Sequence, residues 1–332
     1  MRAQYESPMK RSPVAILGIS CVLVAAVAAA AATASGGPRE ISQRDVPWES
    51  MQRQELPASP GGTLQVRVDD ADVGVGTAEG DQAEVEISLR SNDMEWARGV
   101  YERMAFTVRE SGGTIVVESD PRPREEWRRD RWMSVRIEAR VPSRFDLDIH
   151  TQDGDVALAS FEGSMQIVTQ DGDVTAESLR GPSVELRSQD GDLFAAALAA
   201  DRIALQTQDG DIDVGSLAGA TRAHTSDGDI RIGAVDATDV ELESSDGDVF
   251  VAINAAGRLA IRTGDGDISI VAPATLQADV DFSGEEISLQ SGFSLDGSVD
   301  RRRAQGRING GGAEIRAHTN DGEIRLLEQR SG

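Results

Sequence analysis

The tripeptide Asp-Gly-Asp recurs seven times in this chain at near-constant spacing. It begins at Asp153, Asp171, Asp190, Asp209, Asp227, Asp246 and Asp265, in steps of 18 or 19 residues. Gly284-Glu285-Glu286 stands one step further on, and Asp321-Gly322-Glu323 about two steps beyond that. A period this regular predicts a stack of like units, each too small to bury its own apolar face and each covered by its neighbours.

The flanking residues give the units their secondary structure. Three residues after the first Asp come Val156, Val174, Leu193, Ile212, Ile230, Val249 and Ile268, and two further on come Leu158, Ala176, Ala195, Val214, Ile232, Val251 and Ile270. The residue between them varies freely, as Ala157, Thr175, Phe194, Asp213, Arg231, Phe250 and Ser269. Alternation with period two marks a strand with one buried face. A second strand precedes each tripeptide, with inward positions such as Ile149, Ile167, Leu186 and Leu205, and ends on a small hydroxyl: Thr151, Thr169, Ser188, Thr207, Thr225, Ser244 and Thr263. Each unit thus reads as strand, short turn, strand and a T-x-D-G-D corner. Glycine permits positive φ, and Asp, Ser and Thr accept hydrogen bonds from nearby amides. Asp-Gly is also a hairpin signal, but equal steps with one face pattern favour a parallel β-solenoid, one coil per step, over a meander of hairpins.

The remaining chain divides by composition. Lys10 and Arg11 precede an apolar run from Val14 to Ala32, and Ala32-Thr33-Ala34 offers a cleavage site, so 1–34 reads as a signal peptide or N-terminal membrane anchor. Either sends the rest across the inner membrane, to the periplasm, cell envelope or exterior. Residues 35–61 are rich in Gly, Pro, Ser and charge and read as a flexible linker. Residues 62–142 read as an N-terminal β region with strands at 64–68, 73–75, 83–89 and 135–141, a hairpin about Ser111-Gly112-Gly113, and a short helix from Met94 to Met104; 143–328 is the repeat array. Pro121 to Trp132 mixes Arg with Trp127 and Trp132 and reads as a solvated loop with internal ion pairs, as does the loop at Arg301 to Arg303. The sole cysteine, Cys21, lies in the apolar run, without the flanking residues of a lipidation signal. A net charge of −24 is a poor match to nucleic acid.

The strand ending in Val141-Pro142 followed by an array of T-x-[DSN]-G-[DE]-[IV] corners resembles the bacterial putative-adhesin repeat domain, also called the toastrack domain. The closing run Gly310-Gly311-Gly312-Ala313-Glu314-Ile315, then Thr319-Asn320-Asp321-Gly322-Glu323-Ile324, resembles the family's usual end. The resemblance covers roughly 62–328. It implies a right-handed parallel β-helix in an exported or membrane-attached envelope protein whose biochemical role is largely unassigned. Some relatives are linked to envelope-stress sensing through fused membrane segments. Relatives often carry Ser or Asn where this chain has its first Asp.

Stacked corners would align two carboxylate columns: Asp153, Asp171, Asp190, Asp209, Asp227, Asp246 and Asp265 in one, and Asp155, Asp173, Asp192, Asp211, Asp229, Asp248 and Asp267 in the other. Calcium between rungs is geometrically conceivable; corner hydrogen bonding accounts for the same residues without it. No cofactor is implied otherwise. A ladder of equivalent carboxylates lacks the unlike pair that glycoside chemistry needs. His150, His224 and His318 occupy an outward position and fall in different coils, and no G-x-S-x-G, Walker or H-E-x-x-H pattern occurs. The expectation is a non-enzymatic solenoid that binds or scaffolds an envelope or cell-surface ligand, protein or glycan. The alternatives are a membrane-tethered stress-sensing component and a polysaccharide-acting β-helix enzyme.

Overall fold

Five long strands follow five successive corners and pair in parallel, each with the next. The computed structural model describes residues 46–123 and 130–329. The five are β11 (Val174–Arg187), β12 (Leu193–Gln206), β13 (Ile212–His224), β14 (Ile230–Glu243) and β15 (Val249–Thr263), and like positions face one another across coils, as Val174↔Leu193, Leu193↔Ile212 and Ile212↔Ile230 do. This is the parallel solenoid the period predicts, and it excludes the meander. The short turn expected between the two strands of each unit is instead continuous extended chain. Its inward phase changes twice. In β12, Leu193 and Ala195 are buried, then Leu198 and Ala200, then Ile203 and Leu205. Each coil therefore has three legs, and the middle leg adds a core column absent from the sequence reading: Phe161, Leu179, Leu198, Leu217, Val235 and Ile253, all 3% exposed or less.

The N-terminal β region belongs to the same stack. It contains β1 (Glu49–Pro57), β2 (Thr63–Arg67), β3 (Asp72–Ala78), β4 (Gln82–Ser91), α1 (Met94–Met104), β5 (Thr107–Ser111), β6 (Thr114–Glu118) and β7 (Met133–Pro142). The next strands are β8 (Asp146–His150), β9 (Val156–Glu162) and β10 (Met165–Val168). β2 lies between β6 and β8, and β3 between β7 and β9, all in parallel. A coil early in sequence is thus inserted between two later ones. The helix matches its expected bounds: Asp93 caps it by accepting the Trp96 N–H at 3.1 Å, and Ala97, Val100 and Met104 are buried. The expected hairpin is β5–β6, with Gly112 and Gly113 at positive φ.

Part of the expected linker is structured. Residues 49–57 form β1, antiparallel to β4, and Met51 and Leu56 pack on the core. A register shift between Ser50 and Gln52 breaks the alternation that would have marked this strand. The signal or anchor segment, the linker up to residue 45, and residues 124–129 of the Arg/Trp loop lie outside the described residues. Among those described, no helix is long and apolar enough to cross a membrane.

The other end also departs from sequence order. After β16 (Ile268–Ala272) come β17 (Ala278–Ser283), β18 (Glu286–Leu289), β19 (Leu295–Val299), β20 (Arg303–Ile308), β21 (Ala313–Thr319) and β22 (Glu323–Glu328). β21 pairs in parallel with both β15 and β17, and β22 with both β16 and β18. The segment expected to form the last coil is therefore inserted beneath the coil of Gly284. β20 then covers β17 antiparallel, and β19 covers β20. The Arg301–Arg303 loop is the tip of that hairpin, where Arg301 lies 3.7 Å from Glu286 and Arg303 3.3 Å from Asp281.

Candidate functional site: the corner ridge and its groove

The corner is held by its buried hydroxyl. From Thr169 onward each Thr or Ser Oγ donates to the glycine carbonyl of the coil below and accepts the glycine N–H of its own corner. Thr207 Oγ1 donates to Gly191 O at 2.9 Å and accepts from Gly210 N at 3.3 Å; Ser188 and Thr225 repeat the pattern. Thr207 is fully buried. Thr207→Val keeps the shape and leaves a buried carbonyl and N–H without partners, at a cost of about 1–3 kcal/mol. Thr207→Ser, the residue two other corners use, is expected to cost less than half as much. Thermal unfolding of both variants checks this.

The corner glycines serve a different need from the one their sequence suggests. None has φ in the left-handed region. A Cβ on Gly210 would lie 2.2 Å from Gly191 O, and one on Gly191 2.1 Å from Gly172 O. Glycine is required there because backbones of successive coils approach too closely for a side chain.

The two Asp columns differ in what they do. In the second, each Oδ1 accepts the backbone N–H of the following coil's second Asp: Asp173 N to Asp155 at 3.0 Å, Asp192 N to Asp173, Asp211 N to Asp192, Asp229 N to Asp211 and Asp248 N to Asp229 at 2.8 Å, and Asp267 N to Asp248 at 2.7 Å. Glu323 N continues the chain onto Asp267 at 2.8 Å, which places the Asp321 corner directly on that of Asp265. The first column (Asp153, Asp171, Asp190, Asp209, Asp227, Asp246 and Asp265) is exposed along the ridge. Among the described residues no group of three or more His, Cys, Asp or Glu side chains is arranged to hold a metal. Calcium and magnesium at equal concentration are expected to shift the melting temperature alike, by screening; a calcium-specific rise would show a ladder of ion sites.

The ridge has one more corner than the repeat shows. Val68-Asp69-Asp70-Ala71-Asp72 leads into β3, and Thr151 Oγ1 donates to Ala71 O at 3.3 Å, as its counterparts do to glycine carbonyls. Burial first, then Asp70, Asp171 and Asp69, raises the pKa of Asp153 above 3.8. Burial and then Asp155 do the same to Asp72. A raised carboxyl pKa means that the folded chain holds the charged form less well than the unfolded chain. The resulting destabilisation is present above the folded-state pKa and vanishes as pH falls below the unfolded one. Asp153→Asn is expected to raise the melting temperature slightly at pH 7 and low salt, by well under about 1 kcal/mol after solvent screening, with the gain gone near pH 3. Melting curves at the two pH values measure it.

Beside the ridge runs a groove of about 620 Å³ over the first coils. The buried hydroxyls form its floor. The residue after each hydroxyl makes one wall (Gln152, Gln170, Gln189, Gln208), and the residue before it makes the other (Arg67 before Val68, His150, Val168, Arg187, Gln206). The wall cations are matched. Arg67 is paired with Asp148, His150 lies 3.2 Å from the same carboxylate, and Arg187 lies 2.8 Å from Glu185. Burial pushes the Asp148 carboxyl up, but hydrogen bonds from Arg67 and Gln65 hold it below 3.8 overall. Burial, with Arg67, pushes His150 below 6.5. The histidines stay apart: His150 is in β8, His224 in β13 beside Glu243, and His318 in β21. Phe194 is 41% exposed on the leg after the corner, and Phe250 lies three coils on. The four-glutamine wall was not singled out from sequence, although its signal is plain in the repeated Thr/Ser-Gln-Asp-Gly-Asp.

No curated protein matches the sequence. Solved structures with similarity include a putative adhesin from Parabacteroides merdae, 9% identical over 83% of this chain and 95% of its own, with a TM-score of 0.49. A putative adhesin from Parabacteroides distasonis is 10% identical over 85% and 98%, with a TM-score of 0.45. A putative lipid binding protein from the same species is 14% identical over 83% and 96%, with a TM-score of 0.43. The Toastrack DUF4097 family model matches residues 62–327, a span that runs from β2 through the inserted strand β22, and the chain belongs to that family.

Proposed function

We propose that this chain is an exported, non-catalytic solenoid that binds or scaffolds a ligand of the cell envelope along its corner ridge. The equivalence of the corners carries this reading. From Asp155 to Asp267 the second-column carboxylates all hold the amide of the next coil in the same way. Acid–base hydrolysis needs two carboxyls set apart by their surroundings, whereas a repeated surface suits a repeated ligand. The N-terminal basic and apolar run supports export, and mass determination of the native N-terminus separates cleavage from a retained anchor.

The test is co-sedimentation of the full chain with isolated envelope, with glycan chain length followed over time. Retention with unchanged glycan is expected. Progressive shortening of the glycan, or failure to co-sediment, would overturn the reading.

A further inference from the structure

We infer that the groove beside the ridge binds a neutral, extended glycan through its wall of glutamine amides. The inference rests on the binding role proposed above and names the ligand class. Gln152, Gln170, Gln189 and Gln208 are exposed, sit on successive coils, and among the described residues have no side-chain partner in the chain. Successive coils lie about 4.8 Å apart, so the wall offers an amide donor pair and a carbonyl acceptor at each step. Hydroxyls that both give and accept hydrogen bonds match such a wall.

Charge and shape narrow the class. Arg67 and Arg187 already hold Asp148 and Glu185, so no unmatched cation among these walls calls for an anion. Each wall glutamine is followed in the chain by an exposed first-column Asp (Asp153, Asp171, Asp190, Asp209), and Asp69 lines the groove itself, so a polyanion is repelled. A peptide fits poorly. The coil backbones at the corner are hydrogen-bonded to their neighbours, as Gln170 N is to Gln152 O at 3.1 Å and Gln189 N to Gln170 O at 3.0 Å, which leaves no sheet edge for strand addition. Among the described residues the groove walls carry no Phe, Tyr or Trp side chain to grip a proline-rich segment. The wall ends where glutamine gives way to Ser226, Ser245 and Gly264 in later corners, so the glycan is expected to span about four coils.

Isothermal titration of the full chain with cellohexaose, chitohexaose and maltohexaose tests this, with hexagalacturonate and an unstructured hexapeptide as the competing classes. At least one neutral hexaose is expected to bind. Gln170→Ala/Gln189→Ala should weaken it about tenfold or more, with an unchanged melting curve because both side chains are exposed. Phe194→Ala, on another leg, should leave the affinity as it was. Binding of hexagalacturonate or peptide alone, no binding of any neutral hexaose, or affinity indifferent to the glutamine pair would each overturn the inference. A chain that sediments with envelope but binds no neutral hexaose would sink this inference and leave the binding role standing; a chain that does neither would sink both.

Discussion

Gly210→Ala is expected to lower the melting temperature by about 5 °C, from a cost on the order of 3 kcal/mol. The added methyl would stand 2.2 Å from Gly191 O, 2.5 Å from Gly191 C and 3.0 Å from Asp192 N. All three are backbone atoms, so no side chain can swing aside. The lower coil cannot yield either, since Gly191 sits as closely on Gly172. The Asp211 N–H held by Asp192 and the Gly210 N–H held by Thr207 lie at the same corner, and any shift there loosens both. Gly74→Ala is the matched control. It lies in β3, and its nearest atoms are 3.9 Å away, so a change within about 1 kcal/mol is expected. Equal losses from the two substitutions would show that the corner does not depend on close approach.

Removing residues 311–332 is expected to unravel the C-terminal end while the coils before Asp265 stay folded. The deleted strands β21 and β22 contribute Ile315, Ile324 and Leu326, each 0% exposed. Burial of three such side chains is worth about 5–9 kcal/mol. Their loss also leaves β17 and β18 without the partners that join them to β15 and β16. In a stack where each coil touches only its neighbours, damage of this kind stays local. Hydrogen exchange should show lost protection in β16 through β20 and retained protection in β11 through β14. Uniform loss along the chain would contradict the nearest-neighbour description, and full retention would show that β21 and β22 are not inserted.

The parallel stack and its corner were legible because identical side chains fall at identical places in every coil. Features that break the period were hidden for physical reasons. The column of Leu179, Leu198 and Leu217 is offset by two phase changes within each coil, so no single alternation finds it. The corner at Asp70 carries Ala71 in place of glycine and is separated from Asp153 by six strands and a helix. Ala71 is tolerated as the first of the corner series, where only Gly154 above it needs the space: a Cβ there would meet Ala71 O at 1.8 Å. The insertion of β21 and β22 was masked because Gly284 falls one regular step after Asp265 in sequence, although its coil sits one place further out in space. In the groove, the hydroxyl and the Asp pair were recognised as corner residues, and the glutamine between them was passed over because outward positions vary freely elsewhere.

Cross-linking reads the order of coils at that end most directly. Ser269 faces Arg325 in the next strand, and Arg325 in turn faces Ser288. Neighbouring strands at about 4.8 Å lie within the Cα separation that a disulfide spans, and strands two apart do not. In chains with Cys21 replaced by serine, oxidation should therefore join Cys residues placed by Ser269→Cys and Arg325→Cys, and should fail for Ser269→Cys with Ser288→Cys. Efficient closure of the second pair and failure of the first would place the Gly284 coil directly on that of Asp265 and contradict the inserted strand.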